Sequence, residues 1–200
     1  MSFSIGPSES EAEAGELHLI QVPLTLHLAT LEAGKTVISQ RRALASVTRA
    51  NVALRVSGIQ LMVKRVSLLP QGYTEIKGGR SRIRLAKLAQ HDGTVHVFFV
   101  SHVALFNPRE GDRRVSGLHW RYHGSARRIR QREYLVIARD APTTTLVHEV
   151  GHAFGLNHHH ALDNLMCSCR RALAPRFTRR QGLKMRSGAR RFMQRAEQRV

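Results

Sequence analysis

Cysteine is nearly missing from this chain: Cys167 and Cys169 are the two present in 200 residues, too few for a disulfide framework. Their separation by a single residue makes a mutual bridge strained, so small buried thiols are expected. No apolar run approaches the roughly eighteen residues of a membrane-spanning helix. Lysine and arginine are absent before Lys35, so the charged start of a secretory signal is lacking, and the expectation is a cytoplasmic location, export by an unconventional route, or a chain that starts after a removed segment. Acidic residues are also scarce, with 14 Asp plus Glu against 32 Lys plus Arg, a formal net charge of +18. What remains is a 42% hydrophobic chain of a length that forms one compact domain by default.

The first sixteen residues combine Ser, Gly and Pro with Glu9, Glu11, Glu13 and Glu16 and read as a disordered acidic leader. Alternation of Leu17, Leu19, Leu24, Leu26 and Leu28 predicts a strand interrupted at Pro23. Residues 39 to 56 carry Ala, Leu and Val at helical spacing, followed by a second strand over 59 to 64. A third strand is expected over 95 to 103, a fourth over 117 to 122, and a fifth over 134 to 138. The tail from Phe177 to Arg199, with Leu183, Ala189, Phe192 and Ala196 on one side, predicts a terminal helix.

The segment with specific chemistry is His148-Glu149-Val150-Gly151-His152-Ala153-Phe154-Gly155-Leu156-Asn157-His158. A bare His-Glu-x-x-His is weak evidence, but requiring Gly155 and His158 as well reduces an accidental match to about 1 or 2 in 10,000 chains of this composition. On a helix, residues four apart share a face, so His148 and His152 can aim at one ion while Glu149 lies beside it. A third ligand needs the chain to leave the helix and fold back, which Gly155 permits because glycine accepts positive φ. Leu146, Val150 and Phe154 on the opposite face would bury this helix against a core, and Asp140, Pro142 and Thr143 offer its start. Three imidazoles with one coordination position left over favour catalytic zinc, since structural zinc usually takes four protein ligands. His158 is preferred over His159 and His160 by its offset from His148.

The string from His148 to His158 resembles the extended zinc motif of the metzincin metallopeptidases, and Asn164-Leu165-Met166 resembles their Met-turn. The short connection from His158 to Met166 is similar to bacterial matrixin-like or pappalysin-like members. The resemblance implies an α+β zincin fold: a twisted mixed β-sheet, a backing helix, the active-site helix, and a small C-terminal subdomain ending in a helix. It implies a catalytic domain over 17–200, with an upper subdomain over 17–156 and a lower one over 157–200. Zn2+ would be the cofactor, held by His148, His152 and His158, with Glu149 as general base for a metal-activated water and Gly155 and Met166 shaping the site. The implied activity is endopeptidase hydrolysis of a protein or peptide lying along an edge strand, for which 117 to 122 is the candidate, by a monomer.

Charge raises the alternative. Residues 170 to 200 hold 11 basic residues against Glu197 alone, and 109 to 132 add eight arginines. Such a field attracts polyanions such as nucleic acid, anionic polysaccharide or an acidic membrane surface, so the second reading is a basic nucleic-acid- or polyanion-binding protein with a non-catalytic zinc site. A solvated arginine-rich face accounts for the same residues, and no zinc-knuckle pattern supports the alternative.

Overall fold

The computed structural model describes residues 18–107, 111–169 and 174–198; the expected acidic leader lies outside them. A five-stranded sheet is ordered β2-β1-β4-β8-β7, with β1 Ile20–Ala29, β2 Ile59–Leu69, β4 Val95–Val100, β7 Gly117–Arg121 and β8 Glu133–Ala138. Its strands are parallel except for β7, which runs antiparallel to β8 and forms one edge. β4 and β8 carry near-continuous apolar residues because both of their faces are covered, as parallel interior strands require. A smaller sheet, β3-β5-β6, is built from β3 Glu75–Lys77, β5 His102–Asn107 and β6 Gly111–Val115.

Among the described residues, four α-helices complete the mixed α+β architecture: α1 Gln40–Leu54, α2 Gly78–Leu88, α3 Thr145–Ala153 and α4 Arg179–Glu197. α1 starts where Ser39 accepts from the Arg42 N–H, and it backs the sheet through Ala43, Val47, Ala50 and Leu54. Asn51 on α1 takes both the N–H (2.7 Å) and the carbonyl (3.0 Å) of Leu61, satisfying backbone groups on the outer edge of β2. α4 opens with a capping box between Thr178 and Gln181. Its buried Arg186 donates to the carbonyls of Gly58 (3.0 Å) and His18 (2.5 Å), tying the last helix to the entry of β1.

The structure corrects several expectations. β1 runs unbroken through Pro23, because β4 pairing begins only at Leu24 and Pro23 has a neighbour on the β2 side alone. The expected strand over 95 to 103 is two strands in different sheets, parted at Ser101. α2 and β6 were not legible: α2 opens on two glycines and buries Leu85 and Ala86 alone, and β6 is mostly exposed. α3 begins at Thr145, later than the Asp140 to Thr143 signal, with the Pro142 carbonyl accepting from the Thr145 N–H. On α4 the inward face is Gly182, Met185, Arg186 and Ala189, whereas Leu183 is 62% exposed.

The sheet face turned towards α2 contains a hydrogen-bonded file of polar side chains. Asp92 Oδ1 and the Gln90 carbonyl can only accept, so His96 Nε2 donates to them (3.1 and 2.9 Å). His96 Nδ1 then accepts from His27 Nε2 (2.9 Å), and His27 Nδ1 accepts from the Ser67 hydroxyl (2.8 Å), which leaves both rings neutral. Burial, then the neighbouring His96 and Arg65, lower the His27 pKa to about 3 against the opposing pull of Asp92. In the unfolded chain His27 returns to its ordinary 6.5, so between pH 6.5 and 3 the unfolded state binds the extra proton and stability falls as pH falls. One proton is worth about 1.4 kcal/mol per pH unit. Urea titrations of chelator-treated protein from pH 7 to 4 are expected to show this slope, and His27→Gln to flatten it by about that amount; equal slopes would refute the assignment.

Candidate metal centre

α3 lies on the opposite sheet face and carries the histidines. Leu146, Val150 and Phe154, each 1% exposed, face the core as expected. The helix ends in a Schellman motif: Gly155, at φ +92°, donates to the His152 carbonyl, and the Leu156 N–H donates to the Gly151 carbonyl (2.8 Å). The left-handed residue sends the chain back along the helix and delivers His158 to the face of His148 and His152. Here the turn expected at Gly155 and the geometry agree.

His148, His152 and His158 form the one cluster of three or more such side chains, among the described residues, able to converge on a metal ion. His148 Nδ1 donates to the Leu165 carbonyl (2.7 Å) and His152 Nδ1 donates to the Leu156 carbonyl (2.8 Å). Carbonyl oxygens only accept, so both Nε2 atoms carry lone pairs. His152 Nε2 lies 3.2 Å from His148 Nε2 and 3.2 Å from His158 Nε2. Tetrahedral ligands about 2.0–2.1 Å from zinc stand roughly 3.3 Å apart, so this donor set fits that ion. Burial lowers the pKa of His152, with smaller contributions from His158 and His119, against a hydrogen bond to Leu156 that raises it. A neutral ring is the form a metal needs. Glu149, 5% exposed, follows the first histidine on the same helix, while His159 and His160 are exposed.

Behind the histidines, a tight turn over 164 to 167 places the fully buried Met166 against α3. A Cβ at Gly151 would meet Met166 Sδ at 2.5 Å, so this glycine makes room for the sulfur. The orienting residue is Asn164 rather than the neighbouring Asp163: its Oδ1 accepts from the Met166 N–H (2.9 Å) and its Nδ2 donates to Gln181 Oε1 (2.9 Å). The turn is also stitched to the post-helix segment, since the His159 N–H donates to the Met166 carbonyl (2.9 Å). Cys167 and Cys169 are joined as a disulfide, which corrects the expectation of free thiols; the local reversal brings their Cα atoms to 5.2 Å, within bridging range. Neither sulfur is then a thiolate available to a metal.

Edge strand β7 forms the wall of the site. His119 stacks near-parallel to the His152 ring, with centroids 6.5 Å apart, and pairs with Glu133 (2.7 Å). This hydrogen bond, with Arg121 and Arg195 nearby, holds the Glu133 carboxyl below its usual range despite burial, which acts the other way. Neither His119 nor Gly117 was legible as a site residue from spacing, since the place of both depends on strand register. A cavity of about 930 Å³ is lined by Arg49, Val52, Val56, Phe177, Arg179 and Leu183, and none of the three histidines is in its lining. No helix among the described residues is long and apolar enough to cross a membrane.

Gly155→Ala is expected to cost about 1–2 kcal/mol in urea denaturation, because a Cβ disfavours the left-handed conformation. It should also weaken zinc binding by displacing His158 and the Leu156 carbonyl. Unchanged stability and affinity would show that the turn does not set the ligands.

Among known proteins, archaemetzincin from Methanopyrus kandleri superimposes with a TM-score of 0.57 at 16% identity, covering 85% of this chain and 96% of that one. A chain from a structure of a chaperone-substrate complex gives 0.52 at 11% identity, covering 89% of this chain and 36% of that one. These similarities show a shared fold. No curated protein matches the sequence. The family model described as Metallo-peptidase family M12 matches residues 25–182, which span the sheet, the histidine helix and the Met166 turn. The chain belongs to Metallo-peptidase family M12 and is a metzincin-like zinc peptidase.

Proposed function

We propose that this enzyme is an endopeptidase in which His148, His152 and His158 hold the zinc and Glu149 is the general base. The observation that carries the reading is the convergence of three Nε2 atoms, His152 being 3.2 Å from each of the other two, with His148 and His152 on a helix that also bears a buried carboxylate and His158 just past its end. When bound, zinc supplies Lewis acidity towards water and towards a peptide carbonyl. Glu149 removes a proton from the attacking water and returns it to the departing amine nitrogen as the C–N bond breaks. Burial of the carboxylate strengthens that exchange by excluding competing solvent. The turn at 164 to 167 is, on this reading, the Met-turn, which seats the Leu165 carbonyl under His148.

Substrate would lie along β7 by strand addition, since β7 is an edge and its outer backbone groups face away from β8. The cleft would then run between an upper part, 17–156, and a lower part, 157–200. Arginines and lysine on the exposed face of α4, among them Arg179, Arg180, Lys184, Arg190 and Arg191, favour acidic substrates or a polyanionic surface near the cleft.

Glu149→Gln is expected to keep one equivalent of zinc while peptide-library cleavage falls about 100-fold or more. His152→Ala should lose the metal instead. Undiminished cleavage by the first variant, or stoichiometric zinc in the second, would overturn the assigned roles.

A further inference from the structure

We infer that Gly117, the first residue of β7, is a positioning residue: the missing side chain at the start of the edge strand is what gives the Glu149 carboxylate its place. The inference rests on the reading of Glu149 as the base. A Cβ at Gly117 would stand 2.6 Å from Glu149 Oε1, 2.9 Å from Glu149 Cγ and 2.6 Å from Thr145 Cγ2. Gly117 is not one of the positive-φ glycines, so its backbone conformation accepts an L-residue and the obstacle is space alone.

Neither backbone can retreat. Gly117 pairs with Ile137, and the Ser116 carbonyl accepts from the Ala138 N–H (2.9 Å), which fixes the start of β7 to the end of β8. α3 follows β8 after a short turn and is buried by Leu146, Val147 and Val150, so its axis is fixed as well. The side chains must give way. Thr145 is 3% exposed and β-branched, with few rotamers open to it, whereas Glu149 has three side-chain torsions. An added methyl therefore moves the carboxylate first. A glycine serving only close helix-strand packing would behave differently, since its replacement would cost stability and leave the chemistry of the surviving folded enzyme intact.

The experiment is a double-mutant cycle of Gly117→Ala with Glu149→Asp, read by steady-state peptide cleavage, zinc content and urea denaturation. Gly117→Ala is expected to retain one zinc and a cooperative unfolding transition while kcat falls about 100-fold, the cost of misplacing a reacting group by about 1 Å, with KM within about threefold. Aspartate still carries a carbon where the added methyl meets Glu149 Cγ, but its carboxylate is already withdrawn by one methylene, so the two losses should not multiply and the double variant should be within about threefold of Glu149→Asp alone. Multiplying losses in the double variant, an undiminished kcat in Gly117→Ala, or loss of its zinc would each overturn the inference. Should Gly117→Ala not accumulate folded, Gly117→Ala with Thr145→Ser removes the threonine clash and carries the same readouts. Glu149→Gln separates the two claims: an active Glu149→Gln defeats the base assignment, and Gly117 with it. An inactive Glu149→Gln beside an active Gly117→Ala defeats Gly117 alone.

Discussion

Two hydrogen bonds, from His148 Nδ1 to the Leu165 carbonyl and from His152 Nδ1 to the Leu156 carbonyl, are the constraint on which the metal centre depends. Each fixes a tautomer, and together they turn two lone pairs towards each other at 3.2 Å, an arrangement that is repulsive until a cation occupies the space between. Both carbonyls belong to chain reversals, one after α3 and one before Met166. The electrostatics of the site is therefore set by backbone geometry, and the side-chain motif alone would not produce it.

Three glycines convert that constraint into shape. Gly155 supplies the left-handed turn, Gly151 leaves room for Met166 Sδ, and Gly117 leaves room for Glu149. The first is a conformational requirement and the other two are requirements of volume. The distinction matters because alanine at a volume-limited site displaces a named neighbour, whereas at Gly155 it strains the main chain itself.

The three converging histidines were legible in the sequence because all three sit within one helix and its exit, where spacing alone fixes direction. The same locality made α1 and α4 legible. Asn164, Gln181, His119 and Gly117 were not, since their roles come from pairings across distant segments: Asn164 meets Gln181 on α4, and His119 reaches His152 only because β7 pairs antiparallel to β8. The expected edge strand over 117 to 122 is an edge strand, while the single strand read over 95 to 103 divides at Ser101 between two sheets. Periodicity could not show that division, because a continuous apolar run looks the same on either side of a change of sheet. The bridge between Cys167 and Cys169 escaped for a related reason, as spacing says nothing of a local reversal.

The bond between Asn164 and Gln181 makes the turn beneath the histidines answer to a helix that follows it in the chain. During synthesis, which proceeds from the amino end, the imidazoles leave the ribosome before the element that steadies their support. The nascent protein thus carries its three imidazoles before Gln181, the partner that holds Asn164, has been added.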